Sequence, residues 1–150
     1  MQRNHANSAT HTIALAKTDA EISRCYPVIH ELRPHLSAAD FLNRAKHQMA
    51  QGYRLAFLEA EGEIRSVAGY RTAETLCWGK FLYVDDLVTR TADQRTGYGG
   101  KLFDWLLAEA AREACEQLHL DSGVQRFGAH RFYLNKGMDI TSHHFALKLV

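Results

Sequence analysis

Gln94-Arg95-Thr96-Gly97-Tyr98-Gly99-Gly100-Lys101 separates a strand-like run, residues 81–88, from the most regular amphipathic run in the chain. After it, Leu102, Phe103, Leu106, Leu107, Ala110, Ala111, Ala114 and Leu118 recur at i, i+3, i+4 spacing, which predicts a long helix with its apolar face on a sheet. Backbone N–H groups at the start of such a helix have no intrahelical acceptor, so the loop is a site for an anion, above all a phosphate. Glycines at 97, 99 and 100 let a ligand approach the backbone closely and permit φ > 0, while Arg95 and Lys101 add positive charge. The plainer reading is a flexible loop that only starts a helix.

Upstream, residues 1–11 read as a polar arm and residues 12–15 as a short strand. Thr18-Asp19 caps a helix through Glu21, Ile22, Cys25, Val28, Ile29 and Leu32, which Pro34 ends. Ser37-Ala38-Ala39-Asp40 opens a second helix through Phe41, Leu42, Ala45 and Met49, running to Gly52. Residues 53–58 and 64–71 alternate as strands joined across Glu61-Gly62-Glu63, an antiparallel hairpin. Downstream of the long helix come a short strand at 118–121, a short helix at 130–136 ended by Gly137, and a closing strand at 143–150. Strands that interleave with helices define an α/β (α+β) class with a single central sheet flanked by helices, and residues 12–150 read as one domain.

Composition narrows the function. The 150 residues carry 18 basic and 17 acidic side chains, a formal charge of +1 with no block of like charge, which disfavours a nucleic-acid partner held by phosphate neutralisation. No apolar run is long enough to span a membrane, and no secretion signal opens the chain, so the expected location is cytoplasmic. Three cysteines without a C-x-x-C spacing fit neither a disulfide framework nor a zinc knuckle; reduced thiols, most of them buried, are expected. Despite nine histidines no metal is expected: His30-Glu31-Leu32-Arg33-Pro34 has proline where H-E-x-x-H needs histidine, and His143 and His144 on a strand face opposite ways.

Two common phosphate motifs fail. A P-loop needs a hydroxyl residue after its lysine, and Leu102 follows Lys101; a dinucleotide fingerprint needs G-x-G-x-x-G, and Leu102 stands at the third glycine. Residues 94–99 do match a Q/R-x-x-G-x-G/A signature, and Asp85-Asp86-Leu87-Val88-Thr89 before it and Ala129-His130-Arg131-Phe132-Tyr133-Leu134-Asn135-Lys136-Gly137-Met138 after it extend the match. On these segments and the order of elements over residues 12–150, the chain resembles the GCN5-related N-acetyltransferase (GNAT) family. The resemblance implies the acyl-CoA N-acyltransferase fold, a mixed, mostly antiparallel sheet, and acetyl-CoA as cosubstrate.

It also implies roles. Backbone amides of Gln94, Arg95, Thr96, Gly97, Tyr98, Gly99, Gly100 and Lys101 would hold the pyrophosphate, and Leu87 and Val88 would pair with the pantetheine amides at a bulged, splayed strand end. Tyr133 matches the tyrosine that serves as general acid to the departing thiolate. Asp85 and Asp86 are the candidates for the base, acting through water; neighbours on a strand point to opposite faces, so one of them is expected to face the acceptor. The plainer reading keeps either carboxylate as a partner for the acceptor's ammonium or a loop cap. His130 reads as a capping or packing residue that could instead contact a ligand, and Cys77-Trp78 as packing that could line the acceptor pocket. The sequence departs from the family at Gln94, where arginine is frequent, at Arg95, where glycine is, and at Arg126, where asparagine is. The acceptor, a small-molecule amine or a peptide, would be met by the two N-terminal helices and residues 76–80; a homodimer is compatible with the resemblance. The alternative function is a catalytically silent acyl-CoA sensor of the same fold.

Overall fold

The computed structural model describes residues 10–150. The expected arm therefore lies outside the described residues except at its end, where His11 already belongs to β1 (His11–Leu15). Thr18 caps α1 (Asp19–Leu32) with a reciprocal pair: its side chain accepts the Glu21 N–H at 3.2 Å, and the Glu21 carboxylate accepts the Thr18 N–H at 3.1 Å. Ser37 caps α2 (Ala38–Met49) by accepting from the Asp40 N–H. Strands β2 (Arg54–Ala60) and β3 (Glu63–Thr75) form the expected hairpin, its turn made by Glu61 and Gly62 at φ 54 and 75. Then follow β4 (Gly79–Thr89), a tight 3-10 turn at Thr91–Asp93, α3 (Tyr98–Arg112), β5 (Gln117–Leu120) and α4 (Phe127–Asn135).

The sheet runs in the order β1-β2-β3-β4-β5 and is antiparallel from β1 through β4. On one face Ile22, Cys25, Val28 and Ile29 of α1 and Phe41 and Ala45 of α2 meet Leu55, Phe57 and Val67. On the other lies α3: Leu102, Phe103 and Leu106 are fully buried, and Trp105 stands edge-on to Tyr70 with ring centres 5.9 Å apart. Each such apolar side chain contributes about 2 kcal/mol by leaving water, so the sheet is clamped between its helices. One compact unit ends at His119, and a second runs from Leu120 to Val150.

Three expectations are corrected. The long helix stops at Arg112, because Ala114 takes φ 57 and the Cys115 N–H turns back to the Ala110 carbonyl at 2.8 Å, closing the helix; Leu118 belongs to β5. Residues 143–150 form no strand: Phe145, Leu147 and Leu149 alternate as a strand would but are exposed, since alternation makes a strand only where a neighbouring strand supplies hydrogen bonds. Of the three free thiols only Cys25 is buried, and burial pushes it up to about 12; Cys77 is exposed and Cys115 half-buried.

Candidate active site

The register between β3 and β4 breaks at one point. Gly69 pairs with Asp86 and Tyr70 with Val84, which leaves Asp85 as an extra residue on β4. The bulge overturns the expectation that the two aspartates face opposite ways. In a regular strand Val84 and Asp86 would share a face, but Tyr70, across from Val84, meets α3, while Asp86 turns toward α1 and α2. Asp85 and Asp86 both line one pocket of about 400 Å³ there. Its apolar wall comes from Ile29 of α1, Leu36 before α2, and Phe41 and Ala45 of α2; Arg33, His35, Arg44, Gln48, Tyr53 and Tyr83 supply the polar wall.

The carboxylates are held by residues far away in sequence. Arg33, the residue after α1, gives its Nε–H to Asp86 Oδ1 at 3.0 Å and an Nη2–H to the Asp85 carbonyl at 3.1 Å. The Tyr53 hydroxyl donates to Asp86 Oδ2 at 2.9 Å. Arg71 of β3 grips Asp85 with Nε and Nη2 at 3.0 and 2.6 Å, also donates to Gln48, and lies over the Tyr53 ring at 5.4 Å. Burial and the Asp86 charge push the Tyr53 phenol well above its ordinary value, so it remains a donor. Gly69 makes the arrangement possible: a Cβ there would stand 1.8 Å from the Tyr53 hydroxyl oxygen. Sequence reasoning passes over Arg33, Tyr53, Gly69 and Arg71. The one local signal was Gly69 itself, since a lone glycine inside an apolar strand marks a bulge or a close approach.

Leu87 and Val88 continue β4 past the bulge, paired with Ala68 and Val67. Their other edge is beyond the reach of β5, which has four residues and is anchored by the Glu116 N–H on the Lys80 carbonyl at 2.7 Å, at the far end of β4. The glycine loop follows. Asp93, buried, takes the Arg65 Nη1–H at 3.0 Å and the Arg90 Nε–H at 2.5 Å. Burial works to raise its carboxyl, but the two guanidiniums outweigh burial and hold it below the ordinary range. Arg95 adopts φ 67, the left-handed conformation that explains why glycine is frequent at this position in the resembling family. Gly97, at φ 88, is the N-cap of α3; it offers no side chain to the helix amides, and the first turn holds no acidic residue. Gly99 lies against the end of β4, where an added Cβ would meet Thr89 Oγ1 at 2.8 Å. An uncapped helix start fed by a tight backbone fits a pyrophosphate.

Tyr133 lies on α4 in the second unit, half-buried. Burial raises its phenol, against an opposing pull from Arg126. The His130 Nε2 bonds the Gly123 carbonyl at 2.8 Å, and its ring meets Phe127. Residues 76–80 do not line the pocket, although the two N-terminal helices do. Trp78, in the turn between β3 and β4, stacks on His119 with ring centres 3.8 Å apart. Among the described residues no group of three His, Cys, Asp or Glu is placed to hold a metal, and no helix is long and apolar enough to cross a membrane.

The model of the acetyltransferase (GNAT) family matches residues 15–138, so the chain belongs to that family, with its mixed, mostly antiparallel acyl-CoA N-acyltransferase fold. An uncharacterized N-acetyltransferase of Bacillus subtilis (strain 168), YhdJ, is 33% identical over 127 residues, which span 83% of this chain and 89% of the relative. Among solved structures, an aminoglycoside N-acetyltransferase in complex with CoA superposes with a TM-score of 0.81 at 9% identity, over 93% of this chain and 95% of that one. The ribosomal-protein-alanine N-acetyltransferase of Brucella melitensis superposes with a TM-score of 0.80 at 11% identity, over 94% and 100%. The two structures share the fold. Family and fold together support acetyl-CoA-dependent acetyltransferase activity as the general class.

Proposed function

We propose that this chain moves the acetyl group of acetyl-CoA to a primary amine of a small molecule or peptide by direct attack, in the cytoplasm, without a metal and with residues 12–150 acting as one N-acetyltransferase domain. The observation that carries this reading is the continuity of β4: its bulge presents Asp85 and Asp86 to the pocket, and the chain beyond its end enters the uncapped start of α3. Residues 94–101 would hold the pyrophosphate with backbone amides, and Leu87 and Val88 would pair with the pantetheine arm along their uncovered edge. Acetyl-CoA, when bound, supplies the thioester carbon that the amine attacks.

The chain's own residues handle two protons. An ammonium acceptor must lose one before it attacks, and Asp86 or Asp85 takes it through a water, since each carboxylate keeps lone pairs beyond its arginine and tyrosine donors. The Tyr133 phenol, raised by burial, stays protonated at neutral pH and gives its proton to the departing thiolate. Tyr133→Phe should lower kcat about 100-fold while acetyl-CoA affinity stays within about twofold; unchanged turnover removes the tyrosine from this role. The arginine pairing of both carboxylates favours a second reading, a sensor that keeps acyl-CoA and does no chemistry. Calorimetric titration with acetyl-CoA and CoA, followed by a thiol-release screen against amines and peptides, separates the two. Amine-dependent thiol release supports the enzyme, binding without release supports the sensor, and no binding defeats both.

A further inference from the structure

The pocket on β4 has one cation more than its own carboxylates can use. Asp86 is occupied by Arg33 and Tyr53, and Asp85 by Arg71. Arg44, on α2, lines the same pocket and has no hydrogen-bond or ion-pair partner among the described residues. Two guanidiniums, Arg33 and Arg71, are thus matched to the two carboxylates, and a third, Arg44 on α2, is left over in the lining of the pocket. A polyamine entering there would find both acidic groups engaged and a free arginine repelling it. An acceptor with one amine and one acidic group balances the charge.

We propose, resting on the acetyltransferase reading above, that the acceptor is a small primary amine bearing an anionic group, carboxylate or phosphate, and that Arg44 reads that group. A guanidinium matches either anion with paired N–H donors, which a lysine could not reproduce in geometry. Arg44 is exposed on a helix surface, so replacing it disturbs no packing. The amine end is left to the Asp85 and Asp86 side of the pocket, next to the strand end proposed for the pantetheine arm.

The test compares matched amines at saturating acetyl-CoA by thiol release: an amino acid against its amide, an aminoalkyl phosphate against the amino alcohol, and a polyamine. The anionic member of at least one pair should show kcat/KM about tenfold or more above its neutral partner. Whether the carboxylate or the phosphate pair shows it identifies the anion. Arg44→Gln should bring that ratio close to one, Arg44→Glu should invert it, and Arg44→Lys should restore only part of it. Equal rates within both pairs, a preference for the polyamine, or a ratio unmoved by Arg44→Gln overturns the inference while the acetyltransferase reading stands. Acetyl-CoA binding with no thiol release on any amine defeats that reading and this inference with it.

Discussion

The glycine loop and the β4 pocket handle charge in opposite ways. At the start of α3 the donors are backbone amides, placed by φ 67 at Arg95 and φ 88 at Gly97, and the N-cap glycine brings no side chain to them. In the pocket the donors are arginine and tyrosine side chains, and those facing Asp85 and Asp86 are already matched to them. On the proposed reading the loop would meet an anion through its backbone, so it would depend on conformation more than on residue identity. The pocket holds a balance of side-chain charges, and on the proposed reading its selectivity would lie in whatever is left over.

The contrast can be broken at several points. Gly97→Glu places a carboxylate where an anion should bind and puts a side chain at φ 88; acetyl-CoA affinity should fall at least about 100-fold, or about 2.7 kcal/mol, by calorimetry. Native-like binding by that variant would remove the loop from the cofactor site. Gly69→Ala drives a methyl into the Tyr53 hydroxyl and should cost about 2 kcal/mol in denaturant unfolding, with acetyl-CoA affinity changed far less than turnover. If binding and turnover fall together, loop and pocket are not separable.

Two smaller effects sharpen the same contrast. Because Asp93 has a lowered folded-state value, its pairing with Arg90 and Arg65 stabilises the fold fully above the ordinary carboxylate range and is lost as pH falls through that lowered value. The stability gap between the native chain and Asp93→Asn should therefore be widest near neutral pH and narrow as pH falls below the ordinary carboxylate range. A gap that stays constant would show that the pair is not ionic. Arg95→Gly relieves a left-handed conformation but loosens the unfolded chain, so stability should move by less than about 0.5 kcal/mol. Acetyl-CoA affinity should also hold; a tenfold loss would mean that the Arg95 side chain, and not only its backbone, meets the ligand.

How much of this was legible follows the same division. The loop, the hairpin at Glu61 and Gly62, and the caps at Thr18 and Ser37 are set by neighbouring residues, so a single sequence displays them. The pocket is set by partners 53 positions apart, Arg33 with Asp86, and 33 apart, Tyr53 with Asp86, and no local spacing announces such pairs. Parity along β4 misassigned the two aspartates because a bulge resets it. At residues 143–150 the alternation of Phe145, Leu147 and Leu149 was read correctly, but a strand also needs a partner, which alternation cannot supply.

The bulge also bears on what the sheet itself requires. Counted against β3, Asp85 is an insertion: take it out, and Tyr70 still faces Val84, Gly69 still faces Asp86, and every later residue of β4 keeps its partner and its side. The sheet would close over the deletion without a shift in frame. A chain shortened there by one residue would keep the same strand register and lose from the pocket one carboxylate, the partner of Arg71, so the pairing of β3 with β4 by itself sets no requirement for a residue at this point.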